Sequence, residues 1–383
     1  MNARRIECAP VAPKQIDTLV FRYPVETPVR TSFGVMHDRP ALFVRIEDED
    51  GTVGWGEVWC NFPSVGAEHR ARLIESTLVP RLVGKHFETP FAANDDMTDA
   101  MAVLAIQSGE HGPLAQAIAG IDIALWDISA RKQGRPLWQM LGAASPKIAV
   151  YASGLNPDQP EKLAARRQDE GHRNFKLKVG FGIERDVANL SAMRAALGAE
   201  TRLMADANQA WSLEQAKECA PRLEGFGLYW LEEPIRADQS WESWRSLAAA
   251  TQIRLAAGEN LLGDGAYDDA IASGALGFVQ PDLGKWGGFS RCLGVADRVK
   301  AAGLTYCPHW LGGGIGLLAS AHLLAAAGAD GMLEIDANPN PLRDELAGPL
   351  RAPEQGFATL SDAPGLGEVP DLRDFAPLGK WLR

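Results

Sequence analysis

The chain has 383 residues, 46% hydrophobic and 23% charged, which is ordinary for a globular protein with more than one domain. It carries 38 Lys and Arg against 49 Asp and Glu and has no basic block, which argues against nucleic acid or an anionic membrane as a partner. Five scattered cysteines are typical of reduced thiols, and no apolar segment follows the basic N-terminus. We therefore expect a cytoplasmic protein without a signal peptide.

Residues 1–142 show the pattern of an α+β domain. Short runs of β-branched and aromatic residues predict three strands: Ile16–Arg22, Ala41–Glu47 and Thr52–Val58. Apolar residues at helical spacing predict three helices: His69–Leu82, Pro90–Leu104 and Pro113–Lys132. The Pro- and Gly-rich segment 352–383 is predicted to return to this domain and complete it.

From residue 143 to residue 351 short apolar runs alternate with stretches of helix formers. The runs predict eight strands: Ile148–Tyr151, Phe175–Val179, Arg202–Ala205, Leu228–Leu231, Ile253–Ala257, Leu276–Val279, Leu304–Cys307 and Met332–Ile335. Eight successive strand–helix units predict an α/β fold, a closed parallel (β/α)8 barrel. The apolar stretch Leu311–Gly328 contains His322 and several glycines, so we interpret it as a buried barrel helix and not as a membrane span.

Ionisable residues end nearly every strand of this predicted barrel. The series is Lys176, Lys178, Asp206, Glu232, Glu259, Asp282, His309 and Glu334. From Lys178 onward its members are 23 to 28 residues apart, about the length of one strand–helix unit, so they share the carboxyl-terminal face where barrel enzymes place catalytic groups. One charge after a strand is more often a solvated loop residue, but a run of them over consecutive strands indicates a site.

Three of these residues predict a metal. Asp206, Glu232 and Glu259 follow three adjacent strands, so their carboxylates converge and would repel one another without a cation between them. A ligand set of oxygens alone favours a hard ion, and we predict one Mg²⁺ per subunit. The alternative is a cluster neutralised by Lys or Arg.

Two further residues predict acid–base chemistry. Lys178 and His309 follow strands two and seven, on opposite sides of the barrel mouth. A cation beside Lys178 would lower its pKa and make it a base. Asp282, on the strand next to that of His309, is expected to orient the imidazole ring. Alone, His309 would more often be a packed core histidine; the matching position of Asp282 favours the functional interpretation.

The chain resembles the enolase superfamily and, within it, the mandelate racemase subgroup, over nearly its whole length. The matching motifs are Gly54–Glu57, Ile121–Lys132, Pro136–Gly142, Lys176–Lys178, Asp206–Asn208, Glu232–Pro234, Gly258–Asn260, Asp282–Gly288, Pro308-His309 and Glu334. The muconate-lactonising and dipeptide-epimerase relatives have Lys at the position of Asp282, so this chain departs from them and agrees with the racemase-like group.

The resemblance implies a modified (β/α)8 TIM barrel with an N-terminal α+β capping domain. It implies that Asp206, Glu232 and Glu259 hold Mg²⁺ and that Lys178 and the Asp282–His309 pair are the two acid–base groups. It also implies that Lys176 and Glu334 hydrogen-bond the substrate carboxylate and the enediolate oxygen. Loops 30–39 and 59–63 would close over the substrate. Further substrate contacts are expected from Asn208, Arg30, His37, Arg39 and Trp59. Relatives are often dimers or octamers, so we expect a homo-oligomer.

The predicted reaction is magnesium-dependent removal of the α-proton of a sugar acid, an aldonate or aldarate, through an enediolate. Loss of the β-hydroxyl would then give a 2-keto-3-deoxy acid. Racemisation or epimerisation of a 2-hydroxy acid needs the same two bases and stays open, as does an inactive barrel with a binding role, although no expected ligand or base is missing. The glycine-rich loop Leu311–Gly316 offers a further alternative, phosphate binding at the next helix.

Overall fold

A computed structural model describes residues 6–31, 34–328 and 330–376. The first domain opens with an antiparallel sheet of order β1-β2-β3, with strands β1 (Pro13–Arg30), β2 (Val35–Asp48) and β3 (Val53–Val58). The first two strands are longer than the sequence predicts. Their pairing resumes at Val29 with Met36 after an irregularity that begins at Pro24, and the polar residues there lack strand alternation.

The helices of this domain are α1 (Gly66–Leu73), α2 (Val79–Leu82), α3 (Pro90–Ser108), α4 (His111–Lys132) and α5 (Leu137–Met140). A π-helical turn, Ile74–Leu78, joins the first two. Helix α4 is buried over most of its length, because it lies between the sheet and the barrel. Backbone contacts this close require glycine: a Cβ on Gly56 would stand 2.0 Å from the carbonyl oxygen of Gly120.

The eight predicted barrel strands are confirmed. They are β4 (Lys147–Leu155), β5 (Asn174–Lys178), β6 (Arg202–Asp206), β7 (Leu228–Glu232), β8 (Leu255–Ala257), β9 (Leu276–Val279), β10 (Thr305–Tyr306) and β11 (Met332–Asp336). The parallel ladder runs β10-β9-β8-β7-β6-β5-β4-β11, and within the described residues β10 and β11 are not paired with each other. The interior is filled by Tyr151, Met204, Trp230, Ala256, Phe278, Cys307 and Met332. The barrel is therefore nearly closed.

The barrel helices are α6 (Pro160–Asp169), α7 (Ile183–Leu197), α8 (Leu213–Leu223), α9 (Trp241–Ala248), α10 (Asp264–Ala272), α11 (Gly288–Ala301), α12 (Gly314–Ala327) and α13 (Pro341–Asp344). The apolar stretch around α12 is a buried barrel helix, as predicted. In the part of the chain that the structure describes, no helix is long and apolar enough to cross a membrane.

The C-terminal segment connects both domains. Strand β12 (Phe357–Thr359) pairs antiparallel with the barrel strand β4. Beyond it, Leu366 donates its backbone N–H to Asp127 of α4, and the rings of Phe375 and Phe21 lie 6.2 Å apart. The contacts of Leu366 and Phe375 support the division that we propose, 1–142 with 352–383 and 143–351, whereas β12 extends the barrel sheet. Residues 377–383 lie outside the described part.

Candidate active site

The strand register brings the first half of the charged series together. Lys178 on β5 is the ladder partner of Asp206 on β6, and Asp206 is the partner of Glu232 on β7. All three side chains are buried. Since partners in a parallel ladder point to the same side, these groups face the barrel mouth as one row.

Asp206 is the middle member of this row. Its Oδ2 lies 2.6 Å from Nζ of Lys178, and its Oδ1 accepts the backbone N–H of Asn208 at 2.7 Å. Burial lowers the pKa of Lys178, but the carboxylate of Asp206, together with those of Glu334 and Glu232, outweighs burial, so the pKa is raised. The lowered pKa that the sequence argument expected presupposes a neighbouring cation, and here the neighbour is a carboxylate. Asn208, which is predicted to contact substrate, donates both its backbone N–H and its side-chain Nδ2 to the carboxylate of Asp206.

Glu232 is bound on both oxygens. Oε1 lies 2.5 Å from Nζ of Lys176, while Oε2 accepts from Nε2 of Gln280 at 2.6 Å and from Nε1 of Trp230 at 3.0 Å. Lys176 also lies 2.9 Å from Oε1 of Glu334. Burial, then nearby carboxylates, raise the pKa of Glu232 to about 7 although Lys176 opposes them. The negative charge around Glu232 is thus only partly compensated.

The opposite half of the mouth contains His309 and Asp282. Nδ1 of His309 lies 2.7 Å from Oδ2 of Asp282, whose Oδ1 accepts the backbone N–H of Gly284 at 2.8 Å. Nε2 of His309 faces Oε2 of Glu259 at 2.9 Å. Burial lowers the pKa of His309, but the carboxylates of Glu259 and Glu334 and the bond to Asp282 raise it to about 10. Asp282 thus orients the ring with Nε2 toward the site.

Two site residues were missed in the sequence. Nζ of Lys285 lies 3.0 Å from Oε1 of Glu259 and 4.6 Å from the ring centroid of Trp59. Lys285 could have been predicted as a site residue, because it lies three residues after Asp282 in the matched motif. Gln280, which binds Glu232, was also predictable: it alternates with the interior Phe278 and so faces the same side.

A divalent cation fits the donor set of this site. The buried carboxylates at the mouth outnumber the cations: Asp206, Glu232, Glu233, Glu259, Asp282 and Glu334 face Lys176, Lys178, Lys285 and His309. No group of three His, Cys, Asp or Glu side chains in the described residues has metal-site spacing, since lysines contact the predicted ligands. The lysine-neutralised alternative therefore explains part of the cluster, and the remaining negative charge with oxygen-only donors suits Mg²⁺.

The loops of the first domain reach the barrel mouth at several points. Trp59 donates its backbone N–H to the carbonyl of Gly284 at 3.3 Å. Arg30 and His37 are exposed, and residues 32–33 between them lie outside the described part. The guanidinium of Arg39, which is expected to contact substrate, is buried in an ion pair with Asp336 at the end of β11, and its Nη1 has no hydrogen-bond partner among the described residues.

The glycine-rich loop before α12 does not offer a phosphate site. Glu57 of β3 places its carboxylate at the helix N-terminus, where it accepts the backbone N–H groups of Gly313 and Gly316. These are the groups that would have bound an anion, so the alternative of phosphate binding is excluded at this helix.

The fold and this arrangement are those of a two-domain barrel enzyme with carboxylates, lysines and a histidine–aspartate pair at the mouth. The chain matches the family description "Mandelate racemase / muconate lactonizing enzyme, N-terminal domain" over residues 15–142 and "Enolase C-terminal domain-like" over residues 160–374. It belongs to the mandelate racemase/muconate lactonizing enzyme family of the enolase superfamily.

Named relatives catalyse several reactions. The chain is 31% identical to D-galactarolactone cycloisomerase of Agrobacterium fabrum, over 92% of this chain and 94% of that protein. It is 29% identical to arabinonate dehydratase of Saccharolobus solfataricus, over 86% and 88%.

Solved structures agree on the fold. A mandelate racemase/muconate lactonizing enzyme from Bordetella bronchiseptica RB50 is 54% identical, with a TM-score of 0.91 and coverage of 95% of this chain and 98% of that one. A racemase from Streptomyces coelicolor A3(2) with bound magnesium is 28% identical, with a TM-score of 0.84 and coverage of 94% and 98%.

Proposed function

We propose that the protein dehydrates a sugar acid, an aldonate or an aldarate, to a 2-keto-3-deoxy acid after removing the α-proton. One observation carries the proposal: Lys178 and the Asp282–His309 pair stand at the two ends of a single buried row of carboxylates. Removal of an α-proton with departure of a β-hydroxyl needs a base and an acid at separate positions around the substrate. The relatives named as sugar-acid dehydratases support the substrate class.

In this scheme Lys178 takes the α-proton, and His309, oriented by Asp282, donates a proton to the departing hydroxyl. The C–H and C–O bonds break, water leaves, and the enol tautomerises to the 2-keto acid. The substrate carboxylate gains negative charge as its α-proton is removed. Lys176, buried and fixed by Glu334, supplies a positive charge to those oxygens in a site with little water.

Asp206, Glu232 and Glu259 would hold Mg²⁺, which supplies Lewis-acid stabilisation of the substrate carboxylate when bound. The surplus of buried carboxylates and the pKa of Glu232, raised by burial and by its acidic neighbours, support this assignment. The magnesium in the Streptomyces coelicolor racemase supports it by analogy.

Substrate hydroxyls would meet the loops of the first domain. The indole N–H of Trp59 is buried and has no acceptor within the described residues, so it is available to a substrate oxygen. Arg30 and His37, which are exposed, are proposed as further contacts, together with Asn208, which is hydrogen-bonded to Asp206.

The test is a collection of aldonic and aldaric acids, incubated with the protein and Mg²⁺ and assayed for 2-keto acids. We expect one acid or a small group to give product, EDTA to abolish turnover, and added Mg²⁺ to restore it. Glu232→Gln should bind Mg²⁺ weakly by calorimetry, whereas Asp48→Asn, a buried carboxylate change in the first domain, should bind it normally. Full turnover by metal-stripped protein would contradict the scheme.

Racemisation or epimerisation is the second candidate, because Lys178 and His309 could remove a proton from one face and return it to the other. Its support is the structural similarity to a named racemase. If no acid yields a 2-keto acid but one exchanges its α-proton in D₂O, epimerisation replaces dehydration. Consumption of a lactone instead would indicate the reaction of the cycloisomerase relative.

A further inference from the structure

Several barrel helices begin without a side-chain cap of their own, and α11 and α12 are two of them. Helix α11 follows Gly287, and helix α12 follows Gly313. These are the helices that follow the loops of Asp282 and His309. In both cases a buried carboxylate from the first domain takes the place of the missing cap.

At α12 the carboxylate is that of Glu57. It accepts the N–H of Gly313 and, at 2.8 Å, that of Gly316. A Cβ on Gly313 would lie 2.7 Å from its Oε1, so only glycine admits it. Trp310, next to His309 in the chain, donates its indole N–H to the carbonyl of Gly313 at 2.9 Å. Glu57 therefore fixes the loop that carries His309.

At α11 the carboxylate is that of Asp122 on α4. It accepts the backbone N–H of Ser290 at 3.1 Å and its hydroxyl at 2.5 Å. A Cβ on Gly288 would stand 2.2 Å from Oδ2 of Asp122, again a place for glycine alone. An anion at a helix N-terminus is stabilised by the unpaired N–H groups and the helix dipole. Asp122 thus holds the N-terminus of α11, the helix that directly follows the loop of Asp282.

The Lys178 half is held differently. Asp186, on the barrel helix α7, accepts the backbone N–H groups of Gly180 at 2.9 Å and Phe181 at 3.4 Å, directly after Lys178. Helix α8, which follows Asp206, has a capping box formed by Ser212 and Gln215. Both supports belong to the barrel.

We propose that the first domain positions one acid–base group of the site, the Asp282–His309 pair, through Glu57 and Asp122, while the barrel alone positions Lys178. Glu57 and Asp122 are positioning residues: they act through the loops and contact neither the metal ligands nor the reacting atoms. The activity consequences rest on the proposed function; the loop consequences do not.

The first experiment is hydrogen–deuterium exchange without substrate, followed on peptides that cover residues 311–318. Gln in Glu57→Gln presents an N–H₂ group to one of the two backbone donors, so those amides should exchange at least about tenfold faster. In Asp48→Asn the lost contacts are to Ala12 and Lys132 of the first domain, and exchange at 311–318 should stay as in the wild type. Unchanged exchange in Glu57→Gln would overturn the proposal whatever the reaction is.

The second experiment compares turnover with α-proton exchange in D₂O. Glu57→Gln and Asp122→Asn should lower kcat by about tenfold to a hundredfold with KM within about threefold, and should reproduce His309→Asn in weaker form. Asp186→Asn should instead resemble Lys178→Ala. If Glu57→Gln does not fold, Asp122→Asn and Glu57→Asp carry the test. The proposal fails if the variants of the first domain and Asp186→Asn give the same ratio of exchange to turnover.

Discussion

The two halves of the barrel mouth are built in different ways. Lys178 and Asp206 end five-residue strands and are paired in an unbroken ladder. His309 follows β10, a strand of two residues whose side toward β11 is unpaired within the described chain. The sheet fixes the first half, and the first domain supports the second. A barrel can thus leave one strand edge without a hydrogen-bonded partner where contacts from another domain hold the adjoining loops in place.

Some of the contacts between the domains lie near the His309 half. Arg39 pairs with Asp336 at the end of β11, and Trp126 of α4 donates its indole N–H to Ser290 of α11 at 2.9 Å. Ser290 lies on the helix after the Asp282 loop, in the His309 half, whereas β11 is paired with β4 and lies between the two halves. The first domain therefore acts there as part of the site and not only as a cover over it.

The largest expected effects come from the two acid–base groups. Lys178→Ala and His309→Asn should each lower kcat for the true substrate by about 10³-fold, within the range for loss of a general acid or base. Steady-state kinetics with Mg²⁺ measures this, and Lys14→Ala, in an exposed ion pair with Glu47, is the control. If only one of the two variants is impaired, the claim that each half of the barrel mouth supplies an acid–base group is contradicted.

The buried ion pair between the domains should give the next effect. Arg39→Met leaves the carboxylate of Asp336 buried with Arg343 at 3.5 Å as its remaining cationic partner, so the free energy of unfolding should fall by about 3 kcal/mol. Urea unfolding measures it. Lys14→Met removes an exposed pair and should cost less than about 1 kcal/mol. An equal fall in the free energy of unfolding in the two variants would mean that the Arg39–Asp336 ion pair does not stabilise the contact between the domains.

His322 gives the His309 half a pH dependence of stability. It lies on α12, accepts the backbone N–H of Trp138 at 2.8 Å and has a pKa lowered by burial from 6.5 to about 4. As the pH falls, His322 becomes protonated in the unfolded chain near pH 6.5 but in the folded protein only near pH 4. The free energy of unfolding should therefore fall by about 3 kcal/mol between pH 6.5 and pH 4. His322→Gln should flatten this slope in urea unfolding at several pH values, and the exposed His86→Gln should not. A slope unchanged in His322→Gln would contradict the assignment.

Asp282→Asn should give the smallest of these effects. The ring of His309 stays in place, but its partner no longer stabilises the protonated form, so kcat should fall by about 10–100-fold. A loss as large as that of His309→Asn would mean that Asp282 contributes more than orientation. No loss would remove Asp282 from the site.

The charged row was predictable because strand–helix units repeat at nearly constant length. A residue that ends one strand therefore shares a face with the residue that ends the next, as Lys178, Asp206 and Glu232 do. The barrel and its order follow from the same repeat. The strand ends were less predictable: β10 is shorter than its apolar run, since loop residues there are equally apolar.

The links between the domains could not be predicted from spacing. Arg39 was expected to contact substrate, yet its partner Asp336 lies 297 residues away in the chain. Glu57 was visible only as part of a motif, and nothing in its local sequence indicates that it accepts from Gly316. Such pairs depend on how two domains dock, which neither periodicity nor helix signals encode.

The most direct test of the two-sided site is exchange of the substrate α-proton in D₂O, followed by ¹H NMR in the two single variants. If Lys178 takes the proton, His309→Asn should still exchange it while turnover falls, and Lys178→Ala should lose both; a substrate of opposite configuration would reverse the two patterns. Loss of exchange to the same extent in both folded variants, or near-wild-type turnover in either, would contradict the account.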